Sequence, residues 1–229
     1  MTVNDFSVQL KQIFAAQEDL TSKWHTLDGG EDAMPPPESH TLADTAAAQH
    51  FMNYSLWHVE DAARRKDVPP SVIADCKYRI DVLNQKRNNL IEKMDGLITE
   101  SISRGLPPDA ARKYNTETMG MAIDRMSILA LKIYHMREQT ERSDAGDEHI
   151  AKCARSLTQL TEQRETLSRS ILDLAEDFFS GRKSVKPYYQ HKMYNDKALN
   201  PELYERVTIK NRTGGLPSAP ANEGSCCLP

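Results

Sequence analysis

The sequence predicts an all-α protein, an antiparallel bundle of about five helices with a C-terminal segment packed on it and a disordered tail. Three observations carry that expectation. All 12 prolines fall at 35–37, 69–70, 107–108 or from 187 onward, and proline breaks a helix interior by removing a donor and clashing with the preceding turn. Between those breaks apolar residues recur every three or four positions, with almost no alternation of period two. Ten glycines and 7% aromatic residues are too few for a turn-dense β-barrel. At 229 residues the chain has the length of one ordinary domain. The expected division is a helical domain over 1–205 and a flexible tail over 206–229.

The first helix is expected over 3–27, with Phe6, Leu10, Ile13, Leu20, Trp24 and Leu27 on one stripe, stopped by Gly29-Gly30. The second runs over 42–66. The third opens after Pro69-Pro70 with Ser71 as its N-cap, reaches 103, and is ended by Gly105. The fourth covers 109–142 and the fifth 147–181. Helices three and five are the most regular. Their stripes read Ile73, Cys76, Ile80, Leu83, Arg87, Leu90, Met94, Leu97 and Ile150, Cys153, Leu157, Leu160, Arg164, Leu167, Ile171, Leu174, Phe178. Alternating steps of three and four are the signature of bundle packing. Past 186 the chain turns aromatic and polar, with three tyrosines in the seven residues 188–194. That density is expected to order 188–201 against the bundle.

The net charge is −4, divided between +4 from Arg182 onward and −8 before it. A mildly acidic body disfavours general nucleic-acid binding, which depends on neutralising phosphates. Cys76 and Cys153 fall on apolar helical positions and are expected as small buried hydrophobes. Cys226-Cys227-Leu228-Pro229 matches a prenylation box poorly because of its terminal proline. There is no secretory signal pattern, and the apolar run 128–133 is far too short for a bilayer. The expected setting is cytoplasmic and reducing.

Chemistry-bearing residues concentrate on helices two to four. On helix two, His50, Asn53, Trp57, Glu60, Asp61 and Arg64 fall on one face of about 100°. Either ion pairs on a solvated surface or a polar pocket would account for them, and a tryptophan in their midst argues against full solvation. His58 and Asp61, three apart, are a minimal metal-ligand pair. On helix three Asp81, Asn88 and Asp95 stack seven apart, beside Asn84, Gln85 and Glu92. Helix four contributes Asp124, Arg125 and Lys132, and its Gly120 signals a close helix approach or a ligand. Glu60, Asp61, Glu92 and Asp95 together could hold Mg²⁺ through oxygen ligands, as helical phosphohydrolases do. No nucleophile elbow, Walker loop or dinucleotide-binding glycine motif is present.

Taken together, Asn53-x-x-Leu-Trp-His-x-Glu-Asp-x-Ala-Arg64, Ile80-Asp-x-Leu-Asn-Gln-x-Arg-Asn88 with Ile91-Glu92 and Asp95, Asp124-Arg-x-Ser-Ile-Leu-x-Leu-Lys132, and Lys192-Met-Tyr-Asn-Asp196 with Leu199-Asn-Pro201 resemble the bacterial family called domain of unknown function 4254. The likeness spans about 45–205. It implies a helical protein with a loose link to cell-envelope polysaccharide, encoded near glycosyltransferases. It implies no catalytic residue.

Two readings of function stay open. One is an accessory to glycan or nucleotide-sugar metabolism, with a polar inter-helix pocket and a glycosyltransferase or other protein as partner. The other is a Mg²⁺-dependent phosphohydrolase acting on a nucleotide or sugar phosphate. The candidate pocket comprises His50, Asn53, Trp57, His58, Glu60, Asp61, Arg64, Asp81, Asn84, Arg87, Asn88, Asp124, Arg125 and Lys132. Arg87 and Arg164 each stand where the stripe calls for leucine. A guanidinium there must find a carboxylate or reach water, and Glu60, Asp61 and Asp124 are the acids expected for it. For Arg87 the expectation is a two-pronged pair, completed by Asn53 or Asn84.

Overall fold

The computed structural model describes residues 1–26, 40–103, 113–191, 193 and 196–203. Among these, five helices follow in order: α1 (Val3–Thr26), α2 (Leu42–Ala62), α3 (Pro70–Ser103), α4 (Met119–Thr140) and α5 (Asp147–Phe179). The chain separates into a helical unit, Met1–Tyr189, and a second unit that begins at Gln190.

Local chemistry sets the ends. The Thr41 hydroxyl caps α2 by accepting from the Asp44 N–H, 3.1 Å away. The helix stops at Ala62, four residues short of the expected end, because the chain must reverse before Pro70. Pro70 is the first helical residue of α3, where its fixed φ suits a helix and its missing N–H is no loss. Ser71 therefore lies inside the helix and is not the N-cap. Helix α4 begins at Met119 and not near 109: residues 113–118 are non-helical, and the Thr118 hydroxyl accepts from the Met121 N–H. The rest of the expected extension, 109–112, lies outside the described residues, as do Leu27, Gly29-Gly30 and Gly105. Helix α5 ends with Gly181 just beyond it at φ 72°, a left-handed backbone that glycine adopts without steric cost.

Side-chain contacts fix the directions. Thr21 meets His50 and Trp24 meets Tyr54, so α1 and α2 run parallel. Gln17 meets Ile123 and His25 meets His135, so α4 runs the same way. Arg87 meets Asp124, and Asp95 meets Gly120, so α3 opposes α4. Phe6 meets Phe179 and Phe14 meets Arg164, so α5 opposes α1. Each of α2 to α5 is thus antiparallel to the next, as the bundle expectation has it, while α1 enters parallel to α2. The 24 residues of α1 rise about 36 Å.

Two apolar clusters fill the bundle. The larger joins Phe6, Leu10, Ile13 and Phe14 of α1 to Ile91, Met94, Ile98 and Ile102 of α3, Ile123 and Met126 of α4, and Ile171, Leu174 and Phe178 of α5. The smaller gathers Trp24, Phe51, Met52, Tyr54 and Leu131. Cys76 and Cys153 are buried free thiols. The stripes of α3 and α5 hold only in part: Ile80, Leu83, Leu90, Ile150, Leu157 and Leu160 are half-buried, and α3 buries Ile91 and Ile98 where Leu90 and Leu97 stood in the expected stripe. Helix α3 has 34 residues and α2 has 21, so α3 outruns the neighbour that covers it. No helix among the described residues is long and apolar enough to cross a membrane.

Tyr188 donates from its hydroxyl to the Asn115 carbonyl at 2.8 Å. Tyr189, Met193 and Leu199 are exposed, so tyrosine and methionine content alone does not enforce burial here. In the second unit, the Leu199 and Asn200 N–H groups donate to the Asp196 carbonyl. Tyr194 and the residues from 204 onward, with Cys226 and Cys227, lie outside the described residues.

Candidate functional site

Arg87 on α3 and Asp124 on α4 meet in a two-pronged ion pair. The Arg87 Nε–H donates to Asp124 Oδ1 at 2.8 Å, and an Nη2 hydrogen goes to Oδ2. The Asp124 side chain is 7% exposed and that of Arg87 24%. Oδ1 also accepts from the Gln49 amide and, at 2.9 Å, from Asn53 Nδ2. Both hydrogens of that Asn53 nitrogen are used, the second on Ser127 Oγ at 2.9 Å. The expectation for Arg87 therefore holds with Asp124 as the acid and Asn53 as the completing amide. Arg164 differs. It pairs with Glu18 at 2.9 Å and donates to the Phe14 carbonyl at 2.6 Å, so its acid comes from α1, which the sequence reading had not considered.

A chain of hydrogen bonds continues inward from Ser127. Thr21 donates its single hydroxyl hydrogen to the Gln17 carbonyl at 2.7 Å, so toward His50 Nε2, 2.9 Å away, it can only accept. His50 thus carries its proton on Nε2, and Nδ1 accepts from the Ser127 hydroxyl at 2.6 Å. Gln17 Nε2 donates to the Ile123 carbonyl at 3.2 Å. His50 is completely buried, and burial drives its pKa down to about 4. The network ties α1, α2, α3 and α4 together around a neutral imidazole.

Above Arg87 a groove of about 320 Å³ opens between α2, α3 and α4, lined by Asn53, Trp57, Glu60, Asp61, Arg64, Asn84 and Arg87 with Leu56, Ile128 and Leu131. Seven of the residues expected in a pocket meet there. Trp57 and Asp61 also border a larger groove of about 660 Å³ toward α5, with Lys132, His135, Gln159 and Leu160. Six expected residues line neither groove. His50 and Asp124 belong to the buried hydrogen-bonded network, and His58 lies beside His25 and Tyr54. Asp81 is held by Lys77 on its own helix, Arg125 is paired with Glu117, and Asn88 is half-buried elsewhere on α3.

Two of the four carboxylates expected around Mg²⁺ are engaged apart from each other. Glu60 pairs with Arg64 at 3.1 Å. Asp95 is buried and accepts from the Gly120 N–H at 2.7 Å, at the start of α4, with burial raising its pKa. Gly120 is the close approach expected of it: a Cβ there would stand 2.7 Å from Asp95 Oδ1 and 2.8 Å from the Ile91 carbonyl oxygen. Among the described residues, the group of three acidic, histidine or cysteine side chains with ligand atoms within 4.8 Å of one another is His25, His58 and His135, and it contains none of those carboxylates.

A family model described as "Protein of unknown function (DUF4254)" matches residues 43–187, more than half of the chain. The chain belongs to the DUF4254 family. The curated proteins and the solved structures contain no match to it. The segment matched to the DUF4254 family holds the whole groove and the Arg87–Asp124 pair. It excludes α1, and with it Thr21 and His25, as well as the motifs at 192–196 and 199–201.

The histidine cluster joins three helices. Ring centroids lie 5.1 Å apart for His25 and His58, 4.7 Å for His25 and His135, and 6.0 Å for His58 and His135. Trp57 stacks on His135 with centroids 4.5 Å apart and planes 8° from parallel, and Tyr134 stacks on His25 at 4.2 Å. Burial lowers the pKa of both His25 and His58, with the neighbouring histidines adding to the effect. The sequence reading singled out His58 alone. His25 lies on a helix with no motif and His135 lies three residues past the Asp124–Lys132 motif, and only the parallel packing of α1, α2 and α4 brings them to His58.

Proposed function

We propose that this protein binds a hydroxyl-rich ligand, of the nucleotide-sugar or glycan class, in the groove above Arg87, and serves glycan assembly as an accessory without chemistry of its own. The observation that carries the reading is the convergence of Trp57, Glu60, Asp61, Arg64 and Asn84 on one groove whose floor is pinned by the Arg87–Asp124 pair. An aromatic face covers the apolar side of a sugar ring. Carboxylates and amides accept from and donate to its hydroxyls, and an exposed guanidinium suits a phosphate. Arg87 is committed to Asp124, which leaves Arg64, held at the surface by the Glu60 carboxylate and the Glu60 carbonyl, for an anionic group. A glycosyltransferase is the partner proposed for such an accessory. The magnesium phosphohydrolase reading has no convergent carboxylates to support it.

Titration of the purified protein with nucleotide sugars and short glycans, read by tryptophan emission, tests the proposal. Trp24 is buried, so a saturable change lost in Trp57→Phe and weakened in Arg64→Ala is expected. An unchanged emission and an unchanged melting temperature across the series would overturn it.

A further inference from the structure

We infer that His25, His58 and His135 bind one divalent transition-metal ion of the zinc class, at a site separate from the ligand groove. Their ligand atoms already lie within 4.8 Å of one another. Tetrahedral zinc, with Zn–N distances of about 2.0–2.1 Å, sets its nitrogens about 3.4 Å apart, so modest side-chain movement completes the site.

The donor atoms are prepared as a metal requires. His25 Nδ1 lies 2.7 Å from the Thr21 carbonyl, which can only accept, so the proton sits on Nδ1 and Nε2 carries the lone pair. His135 Nδ1 lies 2.7 Å from Glu138 Oε2, and the carboxylate likewise draws the proton to Nδ1. Metal-binding histidines are oriented in this way, by a carbonyl or carboxylate on the other ring nitrogen. Both freed Nε2 atoms are buried and have no hydrogen-bond partner. Two buried lone pairs without a partner are an unsatisfied arrangement, and one cation satisfies both. His58 supplies the third nitrogen.

Stacking against Tyr134 and Trp57 fixes the ring planes of His25 and His135. Three imidazoles select zinc, copper or nickel over magnesium or calcium, which take oxygen ligands. Three protein ligands leave a coordination position for water or an anion. Each ligand comes from a different helix, α1, α2 and α4, so the ion would tie the end of α1 to two of the three helices that build the groove.

The test uses the full-length, tag-free protein, stripped with EDTA, titrated with ZnCl₂ by calorimetry and assayed for retained metal after desalting. One equivalent of zinc per chain is expected, with a melting temperature that rises with free zinc because the ion binds only the folded state. His135→Gln should abolish retention. Glu138→Gln should keep the one-to-one stoichiometry but weaken affinity about 10- to 100-fold by releasing the His135 ring. His149→Gln, which alters a histidine outside the cluster, should change nothing. A parent protein that retains no zinc overturns the inference, as does equal retention by His25→Gln/His58→Gln/His135→Gln. Loss of binding in His149→Gln would do the same. None of these readouts depends on the groove having a ligand.

Discussion

The two ends of the bundle are built by the same helices on different principles. Toward the start of α1, Phe6, Leu10, Ile98, Ile102, Ile171 and Phe178 fill the interior with hydrocarbon. Toward its end, buried Gln17, Thr21, Gln49, His50, Asn53, Asp124 and Ser127 are joined by directed hydrogen bonds. On α4 the two alternate along one helix: Ile123 and Met126 belong to the apolar cluster, Asp124 and Ser127 to the network. An apolar neighbour needs only the right volume, whereas a buried polar group needs one partner at one angle. The apolar end therefore tolerates change of chemistry at constant size, and the polar end does not.

The largest test of that contrast is Asp124→Ala. Removing the carboxylate leaves Arg87 without its partner and strands the amides of Gln49 and Asn53. Breaking a buried ion pair from one side costs about 3–5 kcal/mol. The isosteric Asp124→Asn should still cost more than Ile98→Val, for which about 0.5–1.5 kcal/mol is expected. Urea unfolding of the three variants measures the order. An Asp124→Ala protein that melts within a degree or two of the parent would sink the network, and with it the rigid floor of the groove.

The contrast also has a pH dependence. The His50 pKa falls from the ordinary 6.5 to about 4 on folding. Above 6.5 neither state binds this proton, and the full stability is present. As the pH drops from 6.5 toward 4, only the unfolded chain takes the proton, so stability falls, and below 4 the loss is constant. Its size is on the order of 3 kcal/mol, from about 1.36 kcal/mol per unit. Stability measured from pH 7.5 to 4 should decline more steeply in the parent than in His50→Gln. Parallel curves would show that the imidazole is not held neutral.

Gly120 marks a close approach of α3 and α4, and the added methyl of Gly120→Ala would meet the Ile91 backbone carbonyl and the Asp95 carboxylate, which the Gly120 N–H holds in place. Overpacking of this kind costs about 1–3 kcal/mol, against a gain of about 1 kcal/mol in helix propensity. A net loss in thermal denaturation is expected. A more stable variant would mean that α3 and α4 can separate at little cost.

The sequence made the helices legible because proline and glycine act locally. It made Arg87 legible because a charge in an apolar stripe must be paired, and the candidate acids were few. The register of the stripe was harder to read: on α3 the buried face takes in Ile91 and Ile98 beside Met94, since packing against α2 and α4 decides which side turns inward. The parallel entry of α1 left no mark either, because it depends on where residues 27–41 carry the chain. That one topological fact hides both the Arg164–Glu18 pair and two of the three clustered histidines. Each of those contacts joins residues on α1 to residues far along the chain that carry no mutual spacing.

The smallest expected effect falls on Glu60, and it separates stability from function. Glu60 lies in the groove, yet its partner is Arg64, one turn along the same helix, and the two side chains are 42% and 68% exposed. An exposed pair at i,i+4 contributes about 0.3–0.5 kcal/mol, reduced further by salt. Glu60→Gln keeps the length and hydrogen-bonding capacity of the side chain while releasing Arg64 from its counter-charge. Its unfolding midpoint should therefore match the parent within about half a kcal/mol. Ligand titration should move instead. An anionic sugar ligand gains from a freed guanidinium and a less negative groove, so Glu60→Gln should bind a nucleotide sugar more tightly and a neutral glycan no better. A large stability loss in this variant would make Glu60 part of the buried framework and erase the distinction drawn between the two ends. Equal changes for charged and neutral ligands would leave Arg64 without the role of anion contact.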